Sequence, residues 1–135
     1  MFDHERLDVY QLELRFIAWL ALLLDETRDC NAVSTREIRD QVDLASISIV
    51  LNTAEGNGKR QRPVRAKYFD DARGSVTEAA ACLDVMVAKG ICPSDRVIEG
   101  KEMLARIGQM LTRMVQLYDD KAVREEQVGY EASLE

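Results

Sequence analysis

Glu55 and Glu78 fall on two stretches that both read as helix. Two carboxylates presented from adjacent helices can act as a general acid and base, or can hold a divalent metal. Carboxylate metal sites in helical bundles normally add Glu-x-x-His pairs, and the only histidine, His4, precedes the predicted bundle. No metal or cofactor is therefore expected. The structural reading is a polar seam, with Ser48, Asn52, Glu55 and Gly56 on one helix facing Gly74, Ser75 and Glu78 on the next, closed by an arginine such as Arg39 or Arg73. A satisfied seam of this kind fixes helix register, whereas an unsatisfied one is costly.

The segment Lys59, Arg60, Arg62, Arg65 and Lys67 sets five cations within nine residues. It can contact phosphate, or it can be a solvated turn whose cations pair with Glu55, Asp70 and Asp71. Other chemistries lack their parts. No Ser-His-Asp set can be built around His4, a cysteine nucleophile has no histidine base, and a helical ribonuclease would need a histidine downstream. Gly56-Asn57-Gly58-Lys59 lacks the full spacing of a phosphate loop and follows no strand. Tyr10, Trp19, Tyr68 and Phe69 lie on apolar helical stripes, which suits packing better than base stacking, and Met103, Met110 and Met114 read as core filler.

Long helices must position these groups. Apolar residues make up 47% of 135 and charged residues 31%, with two prolines and seven glycines, which favours an all-α chain of one domain. A net charge of −6 excludes a protein that coats nucleic acid over its whole surface, so any such contact must be local. Cys30, Cys82 and Cys92 are odd in number and form no CxxC pair, so they read as reduced thiols. With no secretory signal pattern, and with the apolar run Phe16 to Leu24 too short to span a bilayer, a cytoplasmic protein without membrane contact is expected.

At 100° per residue the first helix, Glu5 to Asp25, carries two apolar stripes. One holds Leu7, Tyr10, Leu14, Ile17, Ala21 and Leu24, and the opposite one Val9, Leu12, Phe16, Trp19, Leu20 and Leu23. The second helix begins at a Ser34–Glu37 capping box and runs to Asn57. It is two-sided as well, with Ile38, Val42, Ala45 and Ile49 against Leu44, Ile47, Leu51 and Ala54. Pro63 opens a third helix that reaches Lys89 and is capped by Gly90, and the small residue Gly74 on it invites close approach of another helix. Ser94 caps a fourth, which ends near Tyr118 with Val97, Leu104, Ile107, Leu111 and Met114 on its apolar face. Residues 1–118 form the bundle domain, and 119–135 a charged tail without regular periodicity. Short connections favour an antiparallel up-down-up-down four-helix bundle. One bundle core cannot bury both stripes of the first two helices, so the chain is expected to self-associate through Leu44, Ile47 and Leu51.

Ser48-Ile49, Asn52, Ala54-Glu55-Gly56 and Gly58-Lys59, followed by Tyr68-Phe69, Ala72, Gly74-Ser75, Glu78 and Leu83, resemble the four helix bundle protein family, also called the intervening-sequence protein family of large-subunit ribosomal RNA. The resemblance covers roughly Leu7 to Tyr118. It implies a left-handed bundle, assembly as a homopentameric ring, and no established catalytic activity. A related branch, the accessory proteins of diversity-generating retroelements, binds a reverse transcriptase and nucleic acid, but it is strongly basic where this chain is acidic. Val50 stands where many members have proline, and Thr53 where isoleucine is common. The expected function is a non-enzymatic oligomeric scaffold or adaptor. An accessory protein that contacts RNA or DNA through the turn from Lys59 to Lys67 is second, and an unrecognised carboxylate enzyme third.

Overall fold

A computed structural model describes residues 1–30 and 35–119. Four α-helices carry the chain: α1 (Asp8–Glu26), α2 (Thr35–Gly58), α3 (Arg62–Ala88) and α4 (Ile98–Tyr118), with short 3-10 turns at Asp3–Arg6 and Ser94–Val97. There is no strand among the described residues.

One core joins the four helices. On α1 the stripe Val9, Leu12, Phe16, Trp19, Leu20 and Leu23 is buried. On α2 it is Val42, Ala45 and Ile49, and on α3 Phe69, Ala72, Val76, Ala79, Leu83 and Met86. Val97, Leu104, Ile107, Leu111 and Val115 complete it from the α4 side. Each fully buried large apolar side chain of this set contributes about 1.5–3 kcal/mol relative to an exposed one. The other stripe of α2 stays outside, whereas that of α1 is mostly half-buried, with Leu7 and Leu24 packed against the core. Leu14 and Leu22 on α1, and Leu44, Ile47 and Leu51 on α2, are exposed.

Helix ends follow local chemistry. Pro63 sits in the first turn of α3, where its missing donor costs nothing. At the other end Gly90 takes φ +75°, its N–H bonds Val87 O, and the Ile91 N–H bonds Met86 O at 2.9 Å. This left-handed closure is the one that glycine adopts without strain. The expected cap at Ser94 is not made. The Arg96 N–H bonds Pro93 O at 3.1 Å in a 3-10 turn that carries Val97 into the core, and α4 begins only at Ile98. The first helix likewise starts later than Glu5, because Glu5 lies in the 3-10 turn and accepts the Phe2 N–H at 2.7 Å. Ser34 and the tail after Asp119 lie outside the described residues.

Candidate functional site

The polar seam forms only in its middle. Ser48 Oγ and Ser75 Oγ share a hydrogen bond of 2.8 Å between α2 and α3. Asn52 Nδ2 donates to Ser48 O at 3.0 Å and to Ser48 Oγ at 3.1 Å. The carboxylates stand apart from this network: Glu55 is exposed and pairs with Lys59 at 3.3 Å, and Glu78 is exposed. Neither arginine closes the seam. Arg39 donates to Leu24 O at 2.7 Å, and Arg73 donates to Asp70 at 2.6 Å and to Thr112 at 3.4 Å. Helix ends and neighbouring acids on the same helix offer these guanidinium groups nearer partners.

The glycines exchange roles relative to the sequence reading. A Cβ on Gly74 would meet nothing within 4 Å, so no helix approaches there. A Cβ on Gly56 would sit 2.8 Å from Phe69 Cε1 and 3.0 Å from Tyr68 Cβ. Gly56 therefore serves as the contact point of α2 with α3. Among the described residues, no three His, Cys, Asp or Glu side chains converge as a metal site would require.

The basic segment is largely consumed by the fold. Arg65 Nη1 donates to Asn57 O at 3.2 Å and Lys59 O at 3.0 Å, and Nη2 donates to Asn57 Oδ1 at 3.2 Å and to the Tyr118 hydroxyl at 3.4 Å. Its guanidinium also lies 4.5 Å over the Tyr118 ring. Arg62 donates to Leu117 O and stacks 5.3 Å over the same ring. Cations on the terminal carbonyls of α2 and α4 complement the negative end of each helix dipole. Lys59 and Lys67 flank the Tyr68 ring at 5.3 and 5.0 Å, and Lys67 also pairs with Asp71 at 3.2 Å. Arg60 alone of the five makes no ion pair or hydrogen bond to a described residue. Two substitutions separate these roles. Arg65→Gln is expected to lower the unfolding free energy by about 1–3 kcal/mol, and Arg60→Gln to change it by less than about 0.5 kcal/mol. Equal urea midpoints for the two variants would remove the structural role given to Arg65.

Sequence reasoning missed Glu13. Its side chain is 1% exposed, on the buried stripe of α1. Thr53 Oγ1 donates to Oε2 at 2.7 Å, while Oε1 is buried without a partner. Burial pushes the Glu13 carboxyl up to about 8, against a smaller lowering by the Thr53 hydrogen bond, so the protonated form predominates at neutral pH. The signal was Thr53, one of the two residues at which the chain leaves the pattern of the resemblance. Burial likewise raises the Cys82 and Cys92 thiols, which makes them poor nucleophiles.

The described residues thus define a four-helix all-α protein with polar pins between helices and an apolar stripe left on its surface. The chain belongs to the 23S rRNA-intervening sequence protein family, whose model matches residues 5–113. Comparison with curated proteins finds no match. No helix among the described residues is long and apolar enough to cross a membrane.

Proposed function

We propose that this chain is a non-enzymatic, cytoplasmic scaffold or adaptor that works by assembling with copies of itself. The observation that carries this reading is the stripe on α2, where Leu44, Ile47 and Leu51 are 61%, 42% and 59% exposed. Leu14 and Leu22 add exposed apolar surface on α1. Three large aliphatic side chains along one helix face mark an interaction surface far more often than isolated exposed ones do. In a closed ring each subunit uses two different surfaces, for which the exposed stripe of α2 and the exposed Leu14 and Leu22 of α1 are available. Five subunits is the number that the family resemblance implies. An antiparallel order of helices is supported by two end contacts: Arg65 near the start of α3 meets Tyr118 at the end of α4, and Glu26 at the end of α1 meets Arg96 just before α4. The three free thiols suit a reducing compartment.

Light scattering on the purified chain tests assembly directly. The parent protein is expected to run as a closed oligomer, and Leu44→Glu with Leu51→Glu as a monomer of unchanged helicity. A double variant of full oligomeric mass would sink this interface, and a monomeric parent would sink the reading altogether. Contact with RNA or DNA is the second reading. It is supported by Arg60, which has no partner among the described residues, and by the ring, which would repeat that cation many times. Absorbance across the same peak reports whether nucleic acid travels with the oligomer and leaves with salt.

A further inference from the structure

Where the start of α1 meets the end of α4, an open cavity of about 330 Å³ is walled by Leu7, Val9, Met110, Met114, Leu117 and Tyr118. Arg65 and Arg113 also line it. Arg65 makes no ion pair with a described residue, and the carboxylate of Asp3 reaches it only through Asn57. The four hydrogen bonds of Arg65 all go to uncharged oxygens, on Asn57, Lys59 and Tyr118, and its Nε is buried with no partner. Arg113 makes no ion pair or hydrogen bond to a described residue. The N-cap of α1, Leu7, offers no side-chain acceptor to the first N–H groups of that helix, and Leu7, Asp8 and Val9 from this positive dipole end line the cavity. Asp8 is the one acid in the lining, and it is exposed. An apolar wall with two cations and a helix N-terminus at its edge is complementary to a molecule with an apolar body and a single anionic head.

We propose that this cavity binds a small amphiphilic carboxylate, with an apolar body of roughly ten carbon atoms against the methionines and its head between Arg65 and Arg113. The volume lies at the low end of the range for ligand sites, which suits a short amphiphile. Thioether walls adapt to irregular aliphatic shapes, so chain shape is read loosely while head charge is read strictly. None of its lining residues lies on the exposed stripe of α2.

The probe is sodium decanoate below its micelle concentration, titrated into the full chain labelled at the methionine methyl carbons. The Met110 and Met114 resonances are expected to shift and saturate, while Met86, buried in the core, stays still. Decanol, with the same body and no charge, is expected to bind at least about tenfold more weakly. Arg113→Gln should weaken decanoate several-fold, and Asp8→Asn should tighten it, and both positions are exposed, so the fold is spared. Absence of saturation, equal binding of decanol, or uniform movement of all methyls would each overturn the proposal. So would an affinity that neither Arg113→Gln nor Asp8→Asn alters.

Discussion

Between about pH 4.5 and pH 8 the unfolding free energy of this chain is expected to fall by several kcal/mol on account of Glu13, and Glu13→Gln is expected to remove most of that fall. The sign follows from proton counting. The folded-state value of Glu13 lies at about 8, above its ordinary value of 4.5, so across that interval the native state holds a proton that the unfolded state has released. Stability is then fully present below the unfolded value and is lost as pH rises through the folded one. At about 1.4 kcal/mol per pH unit the interval corresponds to about 4–5 kcal/mol, with local opening or water entry setting a lower practical figure. Among the described residues no cation offsets the ionised form, because the only polar contact that Glu13 makes with them is to Thr53. Glutamine keeps an acceptor for the Thr53 hydroxyl but cannot ionise. Its own cost is two buried amide protons in place of one acid proton, and that cost does not vary with pH. Urea denaturation of both proteins across this range gives the comparison, and parallel curves would dispose of the assignment.

Gly100→Ala is the second large effect, with an expected loss of about 2–4 kcal/mol. A methyl on Gly100 would overlap Trp19 Cη2 and Cζ3 and come within 2.8 Å of Cε3. The indole has nowhere to retreat. Phe16 lies 5.6 Å away on one side. Arg96 lies 5.4 Å over the ring, and its guanidinium is held by Glu26 through bonds of 2.7 and 2.9 Å. That pairing also lowers the Glu26 carboxyl below its ordinary value, first through the hydrogen bond from Arg96. Gly74→Ala is the matched control, since its new methyl meets open space. There the entropy lost on ordering glycine within a helix is recovered, and stability is expected to rise by about 0.5–1 kcal/mol. Urea midpoints that shift the same way for both variants would contradict this account of the two glycines.

These positions show which parts of the molecule were legible in the sequence. The apolar stripes of α1 and α2 were, because a period of 3.6 residues lays them along a helix, but with two such stripes on α1 the period does not say which one enters the core. The end of α3 at Gly90 was, because a left-handed closure needs glycine. Ser94 misled, since its capping potential had to compete with the pull of Val97 into the core. Arg62 and Arg65 could not be read, because their partners at Leu117 and Tyr118 lie more than fifty residues along the chain. Glu13 was passed over because a single carboxyl does not interrupt a stripe of leucines and aromatics strongly enough to be noticed. Gly74 and Gly100 could not be told apart by type, because what separates them is the presence or absence of a facing indole.

Trp19 is the only tryptophan, and its place beside Gly100 makes the intrinsic fluorescence of this protein a local signal. Along α4 the distance from Gly100 to the Tyr118 end is roughly 27 Å at 1.5 Å per residue. Emission will therefore follow the junction of α1, Arg96 and the start of α4, where the indole is packed against Arg96 and Phe16. Loosening around Arg65 and Tyr118 will pass without a change in emission colour. Circular dichroism in the aromatic region sums Trp19 and the tyrosines, Tyr118 among them, so a chain that opens from one end first will give a dichroism curve that departs from the emission curve, where a cooperative one gives coincident curves.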